Sequence, residues 1–123
     1  MQAIAIAAGG AIGALARYWV STGIYAVMGR AFPWGTLVVN LLGSLLMGFL
    51  FVLFMERLSF GIELRAMILV GLLGAFTTFS TFSIETLYLL ESGEYGKAVL
   101  NVVVSVVACI LATWIGVVLA RQL

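Results

Sequence analysis

Charged side chains are so sparse in this chain that the gaps between them set its architecture. None occurs from Met1 to Ala16, from Ala31 to Met55, from Ala66 to Ile84 or from Ala98 to Ala120. A helix needs about 20 apolar residues to cross the hydrocarbon core of a bilayer. The gaps therefore predict four spans, approximately residues 3–28, 35–54, 66–90 and 98–120, in one domain covering 1–123. Composition agrees: 64% of residues are hydrophobic and 9% charged, whereas a soluble domain carries roughly 25% charged residues. Barrel strands alternate apolar and polar residues, and these runs are apolar on nearly every side, so the expected class is an all-α integral membrane protein. Pro33 suits the entrance to the second span, where a missing N–H costs nothing.

Absent residue types exclude whole classes of chemistry. The chain has no histidine and no aspartate, which removes Ser-His-Asp triads, histidine-containing zinc sites and EF-hands. Its single cysteine, Cys109, lies in an apolar run and has no intrachain partner for a disulfide. A net charge of +1 gives no footprint for nucleic acid. The N-terminus lacks a basic region and a small-residue cleavage site, and is not expected to be a removable signal peptide.

Four spans put both termini on one side of the membrane. That side carries Arg57, Arg65 and Arg121; the other carries Arg30 and Lys97. Lys/Arg asymmetry normally fixes orientation, and three against two is almost none. Insertion in both orientations, with pairing of inverted copies, is the resulting expectation.

Function in such a chain is written in the polar residues that lipid should exclude. The second span carries Thr36, Asn40, Gly43 and Ser44 on one face, and the fourth carries Asn101, Ser105, Cys109, Thr113 and Gly116 at steps of three or four. Gly9, Gly10, Gly13 and Ala14 read as close-packing residues. Asn40 reads either as interhelical glue or as a functional amide. The third span is the least helical in composition: Gly71 and Gly74 precede an unbroken run of hydroxyl-bearing and aromatic residues, Thr77 to Ser83. Thr77 lies about 16 Å beyond Ala66 at the helical rise, near the centre of a ~30 Å core. A helix broken near the midplane is expected there, with freed carbonyls able to hold a cation. An inverted partner would bring two carbonyls from each copy together.

Phe79 and Phe82 stack along one helical face. Such a pair can be core or lipid-facing, or its positive ring edges can line a neutral, donor-rich path for an anion. Arg17 either snorkels to the interface or makes an electropositive vestibule. Glu85 either bonds freed amides or lies near the membrane end. Trp34, Trp114, Tyr18 and Tyr88 suit interfacial anchors.

Three stretches carry a family resemblance: Gly9-Gly10-x-x-Gly13-Ala14-x-x-Arg17-Tyr18, Gly35-Thr36-Leu37-x-Val39-Asn40-x-x-Gly43-Ser44, and Gly71-x-x-Gly74-x-x-Thr77-Thr78-Phe79-Ser80-Thr81-Phe82. Together they resemble the bacterial Fluc (CrcB) fluoride channels over essentially the whole chain, and the Thr-Thr-Phe-Ser-Thr-Phe run is the most specific part. The resemblance implies an antiparallel dual-topology homodimer in the bacterial inner membrane with two fluoride pathways. It implies that fluoride passes Asn40, Phe79 and Phe82 and a polar track of Ser80, Thr81, Ser105 and Thr113, with Cys109 standing where another small polar group is expected. It further implies a structural Na⁺ bound by the main-chain carbonyls of Gly74 and Thr77, Arg17 in a vestibule and Glu85 as structural support. Partners are then fluoride, the bilayer and a second copy; the protein is not expected to be an enzyme. The rival reading is a small multidrug-resistance-type proton-coupled exporter, which needs a carboxylate within the first span; that span holds Arg17 and no acid. A non-conducting assembly subunit is the other alternative.

Overall fold

The computed structural model describes residues 1–57 and 59–123. Helix α1 spans Gln2–Met28 and α2 spans Trp34–Val52, continued by a π-helical turn, Leu53–Arg57. The third crossing is composite: α3 (Ile62–Arg65), a π-helical segment (Ala66–Leu72), α4 (Leu73–Phe76) and α5 (Phe79–Glu91). Helix α6 spans Tyr95–Arg121. Among the described residues, four stretches are long and apolar enough to cross a membrane: Gln2–Met28, Trp34–Arg57, Ile62–Glu91 and Tyr95–Arg121. Their number is the one read from the charge gaps. The helices overrun those gaps by several residues, because hydropathy measures the hydrocarbon layer while Glu, Arg and Lys remain good helix formers in the interface beyond it.

Local chemistry ends the helices where the sequence supplies it. Pro33 caps α2, and its carbonyl accepts the Leu37 N–H at 3.1 Å. After α5, Gly93 takes φ 79°, a left-handed conformation that glycine adopts without steric cost. Glu94 N–H then closes back on the Leu89 carbonyl at 2.8 Å, the Schellman arrangement.

Helix α2 is the hub, packed against α1 and α6 and carrying fully buried Val39 and Val52. Its approach to α6 is backbone to backbone. A methyl group on Gly48 would overlap the Thr113 carbonyl, and one on Gly116 the Leu45 carbonyl. Gly9 and Gly13 of α1 lie in the same way on the carbonyls of Met67 and Leu72. Lipid offers no hydrophobic gain for helix association, so dispersion at such close approaches supplies it. At the chain's end, Arg121 donates to both oxygens of Glu56, at 3.4 and 3.1 Å, and Arg57 donates to the Arg121 carbonyl. These groups are exposed, and exposed ion pairs contribute little.

Candidate functional site: two cavities around an extended dipeptide

Between α4 and α5 the backbone leaves the helix for two residues. Thr77 has φ −90°, ψ 158° and Thr78 φ −150°, ψ 123°. Peptide groups exposed inside a membrane need partners, and here each partner comes from a specific residue. The Asn40 side chain bridges both polar groups of Thr78: its Oδ1 accepts the Thr78 N–H at 2.7 Å and its Nδ2 donates to the Thr78 carbonyl at 2.9 Å. The Thr78 hydroxyl caps α5 by accepting the Thr81 N–H at 3.2 Å. Arg17 Nε donates to the Ala75 carbonyl at 3.0 Å, at the end of α4. Two helical donors are thereby diverted. Thr78 N–H would otherwise reach Gly74 and Thr81 N–H would reach Thr77, so the carbonyls of Gly74 and Thr77 lose their i+4 partners.

A cavity of about 410 Å³ lies on one side of this dipeptide. Asn40, Phe79, Phe82, Ser105 and Thr113 line it, as do Thr77, Thr78, Met47 and Cys109, and among the described residues no charged side chain does. The Phe79 and Phe82 ring centroids are 5.4 Å apart and tilted by 46°. Phe82 is buried, whereas Phe79 is 77% exposed on the single chain. The donors on this wall can be counted. An amide nitrogen carries two hydrogens, and Asn40 spends one on Thr78. The Thr113 hydroxyl is committed to the carbonyls of Ser44 and Cys109, at 3.1 and 3.0 Å. Ser105 donates to Asn101 Oδ1 at 3.3 Å. The second Asn40 N–H, the Ser44 hydroxyl and the ring edges remain available.

A second cavity of about 240 Å³ is lined by Arg17, Tyr25, Arg30, Thr36, Thr81 and Glu85 among others, and Thr78 lines both. Glu85 is held firmly there: the Tyr25 hydroxyl donates to Oε2 at 2.6 Å and Thr36 Oγ1 to Oε1 at 2.5 Å. Its partners are thus hydroxyls of α1 and α2, not backbone amides at the interruption. The Arg30 guanidinium stacks on the Tyr25 ring, 4.4 Å from its centroid. Two guanidiniums facing one carboxylate make this cavity electropositive, in contrast to the uncharged one.

Sequence-selected residues therefore divide into groups. Asn40, Phe79, Phe82, Ser105 and Thr113 share the first cavity; Arg17, Thr81 and Glu85 share the second. Ser80 lies in neither; it is exposed, with its hydroxyl 3.3 Å from that of Thr78. Gly74 is exposed as well. Sequence reasoning missed Tyr25 and the double role of Thr78. One signal was available, since Thr36 and Asn40 sit one turn apart on α2 and both reach the third crossing.

Four helices long and apolar enough to cross a membrane, three of them lining an amide- and phenyl-walled cavity, define a multi-pass membrane protein. Residues 4–117 match the family described as CrcB-like protein, Camphor Resistance (CrcB), and the chain belongs to that family. Among its relatives, a protein of Methylococcus capsulatus named "Fluoride-specific ion channel FluC" is 58% identical over 123 residues, covering all of this chain and 54% of the relative. The chain thus spans about half the length of that relative. Proteins of the same name from Magnetococcus marinus and Coxiella burnetii are 58% and 52% identical, over 121 and 124 residues, covering 98% and 100% of both chains respectively.

Proposed function

We propose that the chain forms a fluoride-selective channel whose ion path is the uncharged cavity. The observation that carries this reading is the donor inventory of that wall: one uncommitted Asn40 N–H, the Ser44 hydroxyl, the edges of Phe79 and Phe82, and no cation among the described lining residues. Fluoride is small and tightly hydrated. A conducting site must replace its water with close donors, yet hold it weakly enough for release. A lysine or arginine in the path would bind too well. Relatives that match over the full chain bear the name of fluoride-specific ion channels, in keeping with this chemistry. Arg17 and Arg30, in the second cavity, gather anions at the vestibule, and Glu85 supports it through Tyr25 and Thr36.

The working unit is an antiparallel homodimer with two pores. Phe79, Ser80 and Gly74 lie exposed along one crossing, and a second copy covers them better than lipid does, because hydroxyls and freed carbonyls find no partner in hydrocarbon. The near-even Lys/Arg distribution permits both orientations. The carbonyls of Gly74 and Thr77 suit Na⁺, a hard cation that prefers oxygen ligands; two copies offer four. That ion would supply charge at the interface and hold the two interruptions together. In the bacterial inner membrane, an interior-negative potential favours exit of a monovalent anion by about 2.3 kcal/mol per 100 mV, so export needs no energy coupling.

Purified protein in liposomes tests the reading. Fluoride efflux at rates beyond transporter turnover, with chloride excluded, is the expected result. Proton-coupled cation exchange, or no flux at all, would overturn it.

A further inference from the structure

Behind the uncharged cavity, between α5 and α6, a side-chain relay ends on Ser105, and its other members, Asn101 and Thr86, have no role above. Asn101 is 2% exposed. Its Nδ2 donates to Thr86 Oγ1 at 2.9 Å, and Thr86 Oγ1 donates to the Phe82 carbonyl at 2.7 Å. Ser105 Oγ donates to Asn101 Oδ1 at 3.3 Å. The amide orientation follows from proton counting. A hydroxyl has one hydrogen, and that of Thr86 is given to Phe82, so towards Asn101 it can only accept. The NH₂ group of Asn101 must therefore face Thr86, and its oxygen must face Ser105.

This orientation sets what Ser105 shows to the cavity. Its single proton points at Asn101, away from the path, so at rest it offers the cavity only lone pairs. An anion arriving beside Ser105 must draw that proton to itself. At 3.3 Å the bond to Asn101 lies beyond the ordinary O–H···O range, so the hydroxyl can be turned. The turn leaves Asn101 Oδ1 buried without a donor, which is unfavourable, and the proton is driven back once the anion moves on.

We propose that Asn101 is a positioning residue: through Ser105, its carbonyl oxygen competes with the permeating anion for one hydroxyl proton and thereby weakens anion retention. This rests on reading the uncharged cavity as the anion path. The relay is a return spring on a donor, and it tunes residence time without touching the ion.

The test is a double-substitution cycle in liposomes, reading both the half-saturating fluoride concentration and the maximal flux. Asn101→Leu removes the competitor, and should lower the half-saturating concentration about tenfold, with maximal flux falling in step, as release slows. Adding Asn101→Leu to Ser105→Ala should change neither quantity relative to Ser105→Ala alone. An equal effect in both backgrounds would make Asn101 a packing residue only and overturn the proposal. A second measurement does not depend on Asn101→Leu folding. The chain has two asparagines, Asn40 and Asn101, so carbonyl-¹³C-labelled asparagine gives two side-chain signals, assigned by Asn40→Ala. The Asn101 signal should shift on fluoride addition in the unsubstituted protein and stay still in Ser105→Ala; no shift in either refutes the relay. Absence of fluoride flux from the unsubstituted protein would instead refute the channel reading itself.

Discussion

Replacing Asn40 by leucine tests the local architecture most sharply, because one side chain answers for both polar groups of Thr78. The substitution removes the 2.7 Å bond from Thr78 N–H and the 2.9 Å bond to its carbonyl. Each backbone group left unsatisfied away from water costs about 1–3 kcal/mol, so the extended dipeptide loses about 2–6 kcal/mol of support. Part of that loss is recoverable along one route. Thr78 N–H can turn back to Gly74, which lets α4 and α5 approach a continuous helix and carries Phe79 and Phe82 away from the cavity. Leucine keeps the branched shape and heavy-atom count of asparagine while being bulkier, so packing alone predicts a smaller change than loss of the clamp. Asn40→Asp provides the control: it retains an acceptor for Thr78 N–H but can donate to the carbonyl only when protonated, so its destabilisation should grow as pH rises. Equilibrium unfolding in mild detergent reads the stability, and amide hydrogen exchange at Thr78 reads the clamp directly. Loss of less than about 0.5 kcal/mol, the range of surface substitutions, with Thr78 still protected from exchange, would refute the assignment of Asn40 as the clamp.

Further outcomes follow from the same structure. Gly48→Ala and Gly116→Ala each drive a methyl into a carbonyl of the facing helix and should destabilise by about 1–3 kcal/mol, the usual cost of overpacking. Gly23→Ala, with open space around its Cβ, should be neutral or slightly stabilising in the same unfolding assay. Glu85→Gln replaces one acceptor oxygen with a donor facing a hydroxyl, and should cost about 1.5–3 kcal/mol, the range for a hydrogen bond to a charged group; Thr36→Val beside it should give a less-than-additive double substitution. Phe82→Ile should reduce fluoride flux from liposomes while size-exclusion behaviour stays unchanged, and unaltered flux would remove that ring edge from the path.

The helices were legible in the sequence because lipid imposes a coarse rule, long runs without charge, and the gaps around Arg30, Glu56 and Glu91 obey it. Composition also marked the stretch from Thr77 to Ser83 as unsuited to a helix interior, yet only Thr77 and Thr78 leave the helix, and Phe79 to Ser83 open α5. What stayed hidden was pairing. Asn40 and Thr78 are far apart in the chain, and any polar residue of the third crossing was an equally plausible partner for that amide. The Tyr25–Glu85–Thr36 cluster was hidden for the same reason, as it joins three helices by side-chain reach alone. Adjacent residues also part company around a helix that turns about 100° per residue: Phe79 and Phe82 line the first cavity, Thr81 faces the second, and Ser80 lines neither. Their shared motif could not separate those directions.

The Asn40 clamp has a consequence for how the molecule is made. Chains are synthesised from the N-terminus, so α2 is complete before Thr78 leaves the ribosome. The third crossing thus enters the bilayer beside a neighbour that already displays the template for its unwound step. Two threonine peptide groups that would be unwelcome in lipid meet a docking partner on arrival, and the shape of one helix is instructed by the residue sequence of another.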